Sequence, residues 1–290
     1  MARVVKYAGA YSTKSKRDHI LSSVKYDWIL MFMRITAFFA PFIVILAGIC
    51  GFYLRVSELL NAFDINTGLP EKNSATTMWL AGLSAVFVLF VIIFAIKTAS
   101  KHKSLTGFEN AFGTDPLAYP IIFIVVGILW IAGTYFYYSY ISLRNIVSTY
   151  DIIFVVFSAI SAISVTLFAI EMYQDSRRKI SFALSVVPTA FMCFWLIFMY
   201  SSNASNPVLL SYIYQCLAIV ASALSFYFTA GFLYGKPAPG KSIVAYYTAI
   251  YFGIVTLADN HDMGIKVIFF TLIVVNLVHS TMLIRNLQRK

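Results

Sequence analysis

The chain has 290 residues, 60% of them apolar and only 12% charged, with a formal net charge of +10. A soluble domain is typically about half apolar and about a quarter charged, so 22 basic and 12 acidic residues cannot clothe a water-soluble body of this size. That excludes a soluble globular protein, a disordered chain and a disulfide scaffold, and leaves a polytopic membrane protein.

Residues 1–27 read as a basic arm on the cytoplasmic side, mixing Arg3, Lys6, Lys14, Lys16, Arg17 and Lys25 with Tyr7, Tyr11, Ile20, Leu21 and Val24. Its plainer reading is a positively charged anchor lying on the membrane surface; the sharper one is an arm that docks a partner or senses lipid. Eight apolar runs follow, each near the roughly 20 residues that a helix needs to cross the hydrocarbon core. They lie at Trp28–Tyr53, Met78–Ile96, Tyr119–Tyr140, Asp151–Tyr173, Phe182–Tyr200, Val208–Tyr234, Ile243–Leu257 and Lys266–Ile284, the seventh being the shortest. The runs are continuously apolar and lack period-two alternation, which excludes a β-barrel. The expected fold is all-α: an eight-helix transmembrane bundle over residues 28–284, with a short tail at 285–290. The first run lies behind a long basic arm and has no small-residue cleavage site after it, so it reads as a span and not as a signal peptide.

Charge sets the expected orientation, because short cytoplasmic loops are enriched in Lys and Arg. Counting alternate loops puts 18 basic residues on one side, from the arm and Arg34 through Lys97, Lys101, Lys103, Arg177, Arg178, Lys179, Lys236 and Lys241 to Arg285, Arg289 and Lys290. The other side holds four: Arg55, Lys72, Arg144 and Lys266. The split supports eight crossings with both termini in the cytoplasm. The positive charge is then a property of the inner face, suited to anionic lipid headgroups and not to nucleic acid.

Two loops are long. Arg55–Thr77 begins as a helical extension, with Leu59, Leu60 and Phe63 at helical spacing, and breaks at Asn66–Pro70. Ala99–Leu117 carries Phe108, Phe112 and Leu117 and is expected to lie along the membrane interface. No internal repeat is apparent. Cys50, Cys193 and Cys216 all fall in spans and read as small buried hydrophobes, with no CxxC pair and no metal site.

One motif needs a decision. Gly235-Lys236-Pro237-Ala238-Pro239-Gly240-Lys241-Ser242 fits the phosphate-loop pattern letter for letter. It follows a membrane span instead of a strand, and its two prolines have no N–H to offer a phosphate. The better reading is a turn in which Gly235 ends one helix and Ser242 caps the next, so no nucleotide is expected. Asp259-Asn260-His261-Asp262 offers two carboxylates and an imidazole, but four consecutive residues rarely converge on one ion, and Asp, Asn and Gly264 favour turns.

No Asp, Glu, Lys or Arg falls in the middle of a span; Glu171, Asp151, Asp259 and Arg34 sit near span ends. That argues against a proton-coupled transporter or a voltage sensor. Ser158, Ser161 and Ala162 form one narrow face of the fourth span, and Ala221, Ser225 and Thr229 repeat at spacing four in the sixth; both stripes suit close helix packing. Pro188 interrupts the fifth span. Gln215, Tyr251, Asn276 and His279 are the candidates to line a substrate path if one exists, with Asn276 and His279 on one face of the last span. Tyr135, Tyr137, Tyr138 and Tyr140 at one end of the third span, and Trp28, Tyr119 and Tyr234 at the opposite boundary, read as interfacial belts. No catalytic constellation appears, and no cofactor is expected.

The leading functional expectation is a non-enzymatic accessory, sensor or scaffold subunit that binds a protein partner, a second copy of itself or lipid, in the plasma membrane if the source is bacterial. The alternative is a permease for a neutral or apolar small molecule.

Overall fold

The computed structural model describes residues 39–64, 69–71, 73–99, 107–113, 118–145, 147–173, 179–204 and 208–289. The basic arm, Trp28, Arg34, Leu117, Arg177, Arg178 and most of the Asn66–Pro70 break lie outside them. The described helices are α1 (Phe39–Asn61), α2 (Ala75–Ala99), α3 (Phe108–Phe112), α4 (Ala118–Leu143), α5 (Thr149–Tyr173), α6 (Lys179–Ser202), α7 (Ile213–Leu233), α8 (Pro239–Thr256) and α9 (Met263–Arg289), with one 3₁₀ turn at Leu209–Ser211. Seven of these, all but α3 and α8, are long and apolar enough to cross a membrane. The chain is thus an all-helical, multi-pass membrane protein. Of the compact unit Met1–Ala40, only Phe39 and Ala40 are described; the second unit, Pro41–Lys290, holds the rest.

Helices α4 to α9 form a closed ring in chain order: each packs on the next, and α9 returns to α4. Short connections make neighbours antiparallel. Thus Tyr137, late in α4, meets Asp151 at the start of α5, and Gly133 of α4 meets Gly264 at the start of α9 while Phe123 meets His279. α2 packs on the outside of α8, and α1 also lies on α8, with Gly48 against Ile254 and Gly51 against Tyr251 and Val255. The bundle therefore has an α3 end, where α2 finishes and the C-terminus lies, and an Arg55 end, where α1 finishes.

α8 is enclosed by α2, α7 and α9, and twelve of its eighteen residues are buried. Its first turn meets the end of α2, where Gly240 touches Ala99, and its last turn leads into Asp259 beside Arg55. It therefore runs the full height of its neighbours although, unlike the other long helices described, it is not apolar enough by composition to cross a membrane. A helix shielded from lipid by protein on several sides needs no continuous apolar surface, which explains its three tyrosines.

The middle of the ring is filled with rings of another kind. Trp130 (α4), Phe154 (α5), Phe191 and Trp195 (α6), Phe226 (α7) and Phe269 (α9) are nearly or fully buried and touch across the lumen at centroid separations from 4.9 to 6.5 Å. Lipid tails are as apolar as these side chains, so close packing and hydrogen bonds, not water exclusion, hold the helices together. The glycines serve that packing: a Cβ at Gly264 would fall on the backbone of Gly133 and Tyr137, and one at Gly127 on Thr166.

Several expectations need correction. α1 continues to Asn61 as the expected helical extension, but Arg55 and Glu58 do not start an exposed loop: both are buried in ion pairs. Leu59 and Leu60 belong to that extension, but Phe63 lies beyond it and bridges Pro70. α3 turns its aromatic face inward and not toward headgroups: Phe108 and Phe112 point into the bundle, 5% and 2% exposed. Cys50 and Cys193 are exposed on the outer surface of the bundle and Cys216 is half-buried, so they are not buried hydrophobes. Tyr119 and Tyr137 are buried and leave the belts, while Tyr135, Tyr138, Tyr140 and Tyr234 stay exposed.

Candidate functional site

Two polar clusters stand out, one at each end. At the Arg55 end, α1 presents a buried stripe of Val44, Gly48, Gly51, Arg55, Glu58 and Ala62, spaced alternately four and three apart. The first part of the stripe packs on α8, and its continuation carries Arg55 and Glu58 into the interior. The Arg55 guanidinium then has four acceptors. Its Nε donates to Asp259 Oδ1 at 2.6 Å, its Nη1 to Glu58 Oε2 at 2.7 Å and to the Leu210 carbonyl at 3.2 Å, and its Nη2 to the Ser211 carbonyl at 3.0 Å. The Tyr214 ring lies 4.9 Å from the guanidinium carbon. Planar, forked donors suit this role, which a lysine ammonium could not fill. The cluster ties α1, the 3₁₀ turn, α7 and the α8–α9 connection together.

Asp259 also accepts from Thr256 Oγ1 at 3.1 Å. Burial pushes its carboxyl up from the ordinary carboxylate value, against the pull of Arg55. His261 is stacked on Phe269, and burial lowers its imidazole to about 4, so it is neutral at physiological pH. Asp262 accepts the Ile265 amide at 3.0 Å and caps α9. The four residues thus divide into an ion-pair partner, an exposed Asn260, a stacked imidazole and a cap. No grouping of three or more His, Cys, Asp or Glu suited to a metal ion occurs among the described residues.

At the α3 end, the ring lumen holds Tyr119 (α4), Thr229 (α7), Tyr246 (α8) and His279 (α9). Tyr246 and Thr229 share a hydroxyl–hydroxyl bond of 2.6 Å. The His279 ring is enclosed by Phe123, Phe112 and Tyr246 at centroid distances of 5.2, 5.5 and 5.8 Å. A cavity of about 20 Å³ adjoins it, lined by Phe123, Val165, Phe168, Leu184, Ser185, Pro188, Phe226, Thr229 and His279, hence by every ring helix except α8. Tyr119 Oη and His279 Nε2 are buried here without a hydrogen-bond partner. Each such group ordinarily costs about 1–3 kcal/mol.

The four path candidates do not meet at one point. Gln215 is half-buried in the first turn of α7, at the Arg55 end. Tyr251 turns toward α2, where its hydroxyl bonds Ser84 Oγ at 3.0 Å and its ring stacks on Phe87. Asn276 and His279 share a buried face of α9, 1% and 3% exposed, and the Asn276 amide donates to the Leu272 carbonyl of its own helix at 2.8 Å. The two small-residue stripes are buried. Ser158 binds Trp130 Nε1 and Thr134 on α4, Ser161 and Ala162 are fully enclosed, and Ala221, Ser225 and Thr229 lie inside α7's packed face.

The phosphate-loop look-alike is a helix-ending turn. Gly235 takes φ +71° and Lys236 N–H bonds back to the Gly231 carbonyl at 2.8 Å, which closes α7, and Pro239 then opens α8. Ser242 makes no cap: its hydroxyl bonds back to the Ala238 carbonyl at 2.9 Å and is buried.

Sequence reasoning missed the Arg55–Glu58–Asp259 cluster and the role of α3. The first had a signal, since the 4-3-4 spacing of Val44, Gly48, Gly51 and Arg55 predicts that Arg55 faces inward. The second had only the Phe108–Phe112 pair. No family model, no curated protein and no solved structure matches this chain.

Proposed function

We propose that the protein crosses the membrane eight times with both termini in the cytoplasm, and that it serves as a non-enzymatic accessory, sensor or scaffold subunit whose outer faces bind a protein or lipid partner. The single observation that supports this reading is how the interior polar groups are used. Ser84 pairs with Tyr251, Thr229 with Tyr246, Ser158 with Trp130 and Thr134, and Arg55 with Asp259, each pair joining different segments of the bundle. Such groups hold helices in a fixed arrangement and leave recognition to the outward surfaces. The 18-to-4 division of basic residues supports the orientation and contact with anionic headgroups on the inner side. In a bacterial source the membrane would be the plasma membrane.

The alternative reading, a permease for a neutral or apolar small molecule, draws support from the unpartnered polar atoms around His279. Extraction into native lipid discs followed by native mass spectrometry separates the two. A protein or lipid bound in fixed stoichiometry is expected. A bare monomer whose reconstitution makes vesicles permeable to neutral solutes would replace this reading with the alternative.

A further inference from the structure

The α3 end of the ring is closed by a segment unlike the rest of the bundle. α3 has five residues, too few to be stable alone, and its place depends on what it touches. Phe112 packs edge-on against both Phe232 of α7 and His279 of α9, and Phe108 packs edge-on against Phe168 of α5. The two rings thus stand in the mouth of the lumen, Phe112 directly on the imidazole that borders the cavity and Phe108 on Phe168 of its wall. Asn286 of α9 ties the segment down: its side-chain amide donates to the Ala111 carbonyl at 2.9 Å and to the Gly113 carbonyl at 3.1 Å. A glycine bounds the helix at each end, and Gly107 takes φ +91°, a conformation open to glycine and strained for other residues. On its far side the cavity ends at the aromatic layer of Trp130 and Phe226.

We propose that the lumen beside His279 is a vestibule for a small neutral molecule, and that α3 is its movable plug, latched by Asn286 and swung about Gly107 and Gly113. The vestibule walls are phenylalanine, leucine, valine and proline side chains, with hydroxyls and one imidazole and no formally charged group. They suit a small, mostly apolar solute. His279, whose Nε2 has no hydrogen-bond partner, is the one imidazole in this wall. At about 20 Å³ the closed vestibule holds no more than about one water, so the plug must withdraw before anything larger enters. The inference deepens the alternative reading, a small neutral solute held within the bundle, and does not depend on which end faces the cytoplasm.

The test uses full-length protein in lipid discs, with Cys50, Cys193 and Cys216 replaced by alanine and Ser185→Cys as a reporter in the vestibule wall. The probes are methyl methanethiosulfonate, which is small and neutral, and its charged ethylammonium analogue. With α3 latched, the reporter should react slowly with both. Asn286→Asp keeps the side-chain size but turns an oxygen on each α3 carbonyl, and should raise the rate with the neutral reagent at least tenfold while the charged one stays excluded. A control at Ser84→Cys, between α2 and α8, should not change. An unchanged reporter rate, an equal rise for the charged reagent or a parallel rise at Ser84→Cys would each overturn the proposal. Should Asn286→Asp fail to fold, hydrogen exchange on the unaltered chain decides. Residues 107–113 should exchange at least tenfold faster than α9 around His279, and exchange at the same rate would show that α3 is a fixed part of the bundle.

Discussion

Arg55 Nε donates to Asp259 Oδ1 at 2.6 Å, joining the end of α1 to a turn 204 residues further along the chain. Both side chains are buried, and Glu58 shares the same guanidinium. One cation thus serves two buried carboxylates, and the consequences of removing each partner differ. Arg55→Met leaves both carboxylates without their counter-ion and should destabilise the protein by about 3–5 kcal/mol, the range for breaking a buried pair. Asp259→Asn leaves Arg55 matched by Glu58 and keeps an acceptor oxygen in place, so its cost should be smaller, about 1–3 kcal/mol. Thermal denaturation of the purified variants in detergent checks the order. Equal losses would mean that Glu58 contributes little.

The neighbouring His261 supplies a pH dependence. Burial holds its imidazole at about 4 in the folded protein against 6.5 for a free histidine. Between those values the unfolded chain binds a proton that the folded protein refuses, so stability should be complete above pH 6.5 and decline as the pH falls toward 4. One group can supply at most about 3 kcal/mol of this slope. The check is the difference between the parent and His261→Gln, because Asp259 and other acids titrate in both. The parent should lose more stability than the variant between pH 6.5 and 4.5.

Helix approach at Gly264 yields a sharp contrast. Its Cα lies so close to Gly133 and Tyr137 that an added Cβ would meet backbone, which cannot rotate away. Gly264→Ala should therefore force α9 from α4 and cost about 3 kcal/mol or more. Gly82 on α2 has nothing within 4 Å of the corresponding position. There the same substitution should be neutral or stabilise by up to about 1 kcal/mol through helix propensity. Melting temperatures of the two variants, measured side by side, should move in opposite directions or differ by several degrees.

The long helices are legible because a run of twenty apolar residues has few fates other than a membrane-spanning helix. Composition fails where burial is achieved by pairing. Arg55 and Glu58 look like the start of a loop, and only their place in the Val44–Gly48–Gly51 spacing reveals that they point inward. Phe108 and Phe112, four apart, show that a short helix has an apolar face, but headgroups and bundle interior would accept that face equally. Tyr119 and Tyr137 occupy span ends where tyrosines favour the interface, and the burial of Tyr137 rests on Asp151 of the next helix, which no local pattern brings near. The cysteines invert the same lesson: in lipid, an outward-facing apolar side chain is as well placed as a buried one.

Asn276 separates packing from a ligand role. Its amide is used within α9, while its Oδ1 is buried without a partner. Asn276→Ser keeps a short polar group that can back-bond to Leu272 and removes the orphan oxygen, so folding should be unaffected or slightly improved, within about 1 kcal/mol. If Asn276 belongs to a solute path, vesicles containing this variant should lose neutral-solute uptake while the melting temperature holds. Unchanged uptake together with unchanged stability would confine Asn276 to packing.

Whether α8 crosses the membrane decides the topology, because omitting it would put the C-terminus on the opposite side. Its eighteen residues rise about 27 Å, close to the roughly 30 Å of hydrocarbon thickness. By composition it falls short of a span, unlike the other long helices described, but α2, α7 and α9 cover it, so most of its surface faces protein. Its ends also lie at the levels of its neighbours' ends: Gly240 beside Ala99, and Asp259 beside Arg55. If α8 crosses, Lys241→Cys and Asn260→Cys, in a chain without native cysteines, should be labelled by an impermeant thiol reagent from opposite sides of the membrane. Ser15→Cys should share the side of Lys241→Cys, and Asn203→Cys that of Asn260→Cys. In intact cells the reagent should reach only the Asn203 and Asn260 positions. Labelling of Lys241→Cys and Asn260→Cys from the same side would reduce the count to seven and place the C-terminus outside.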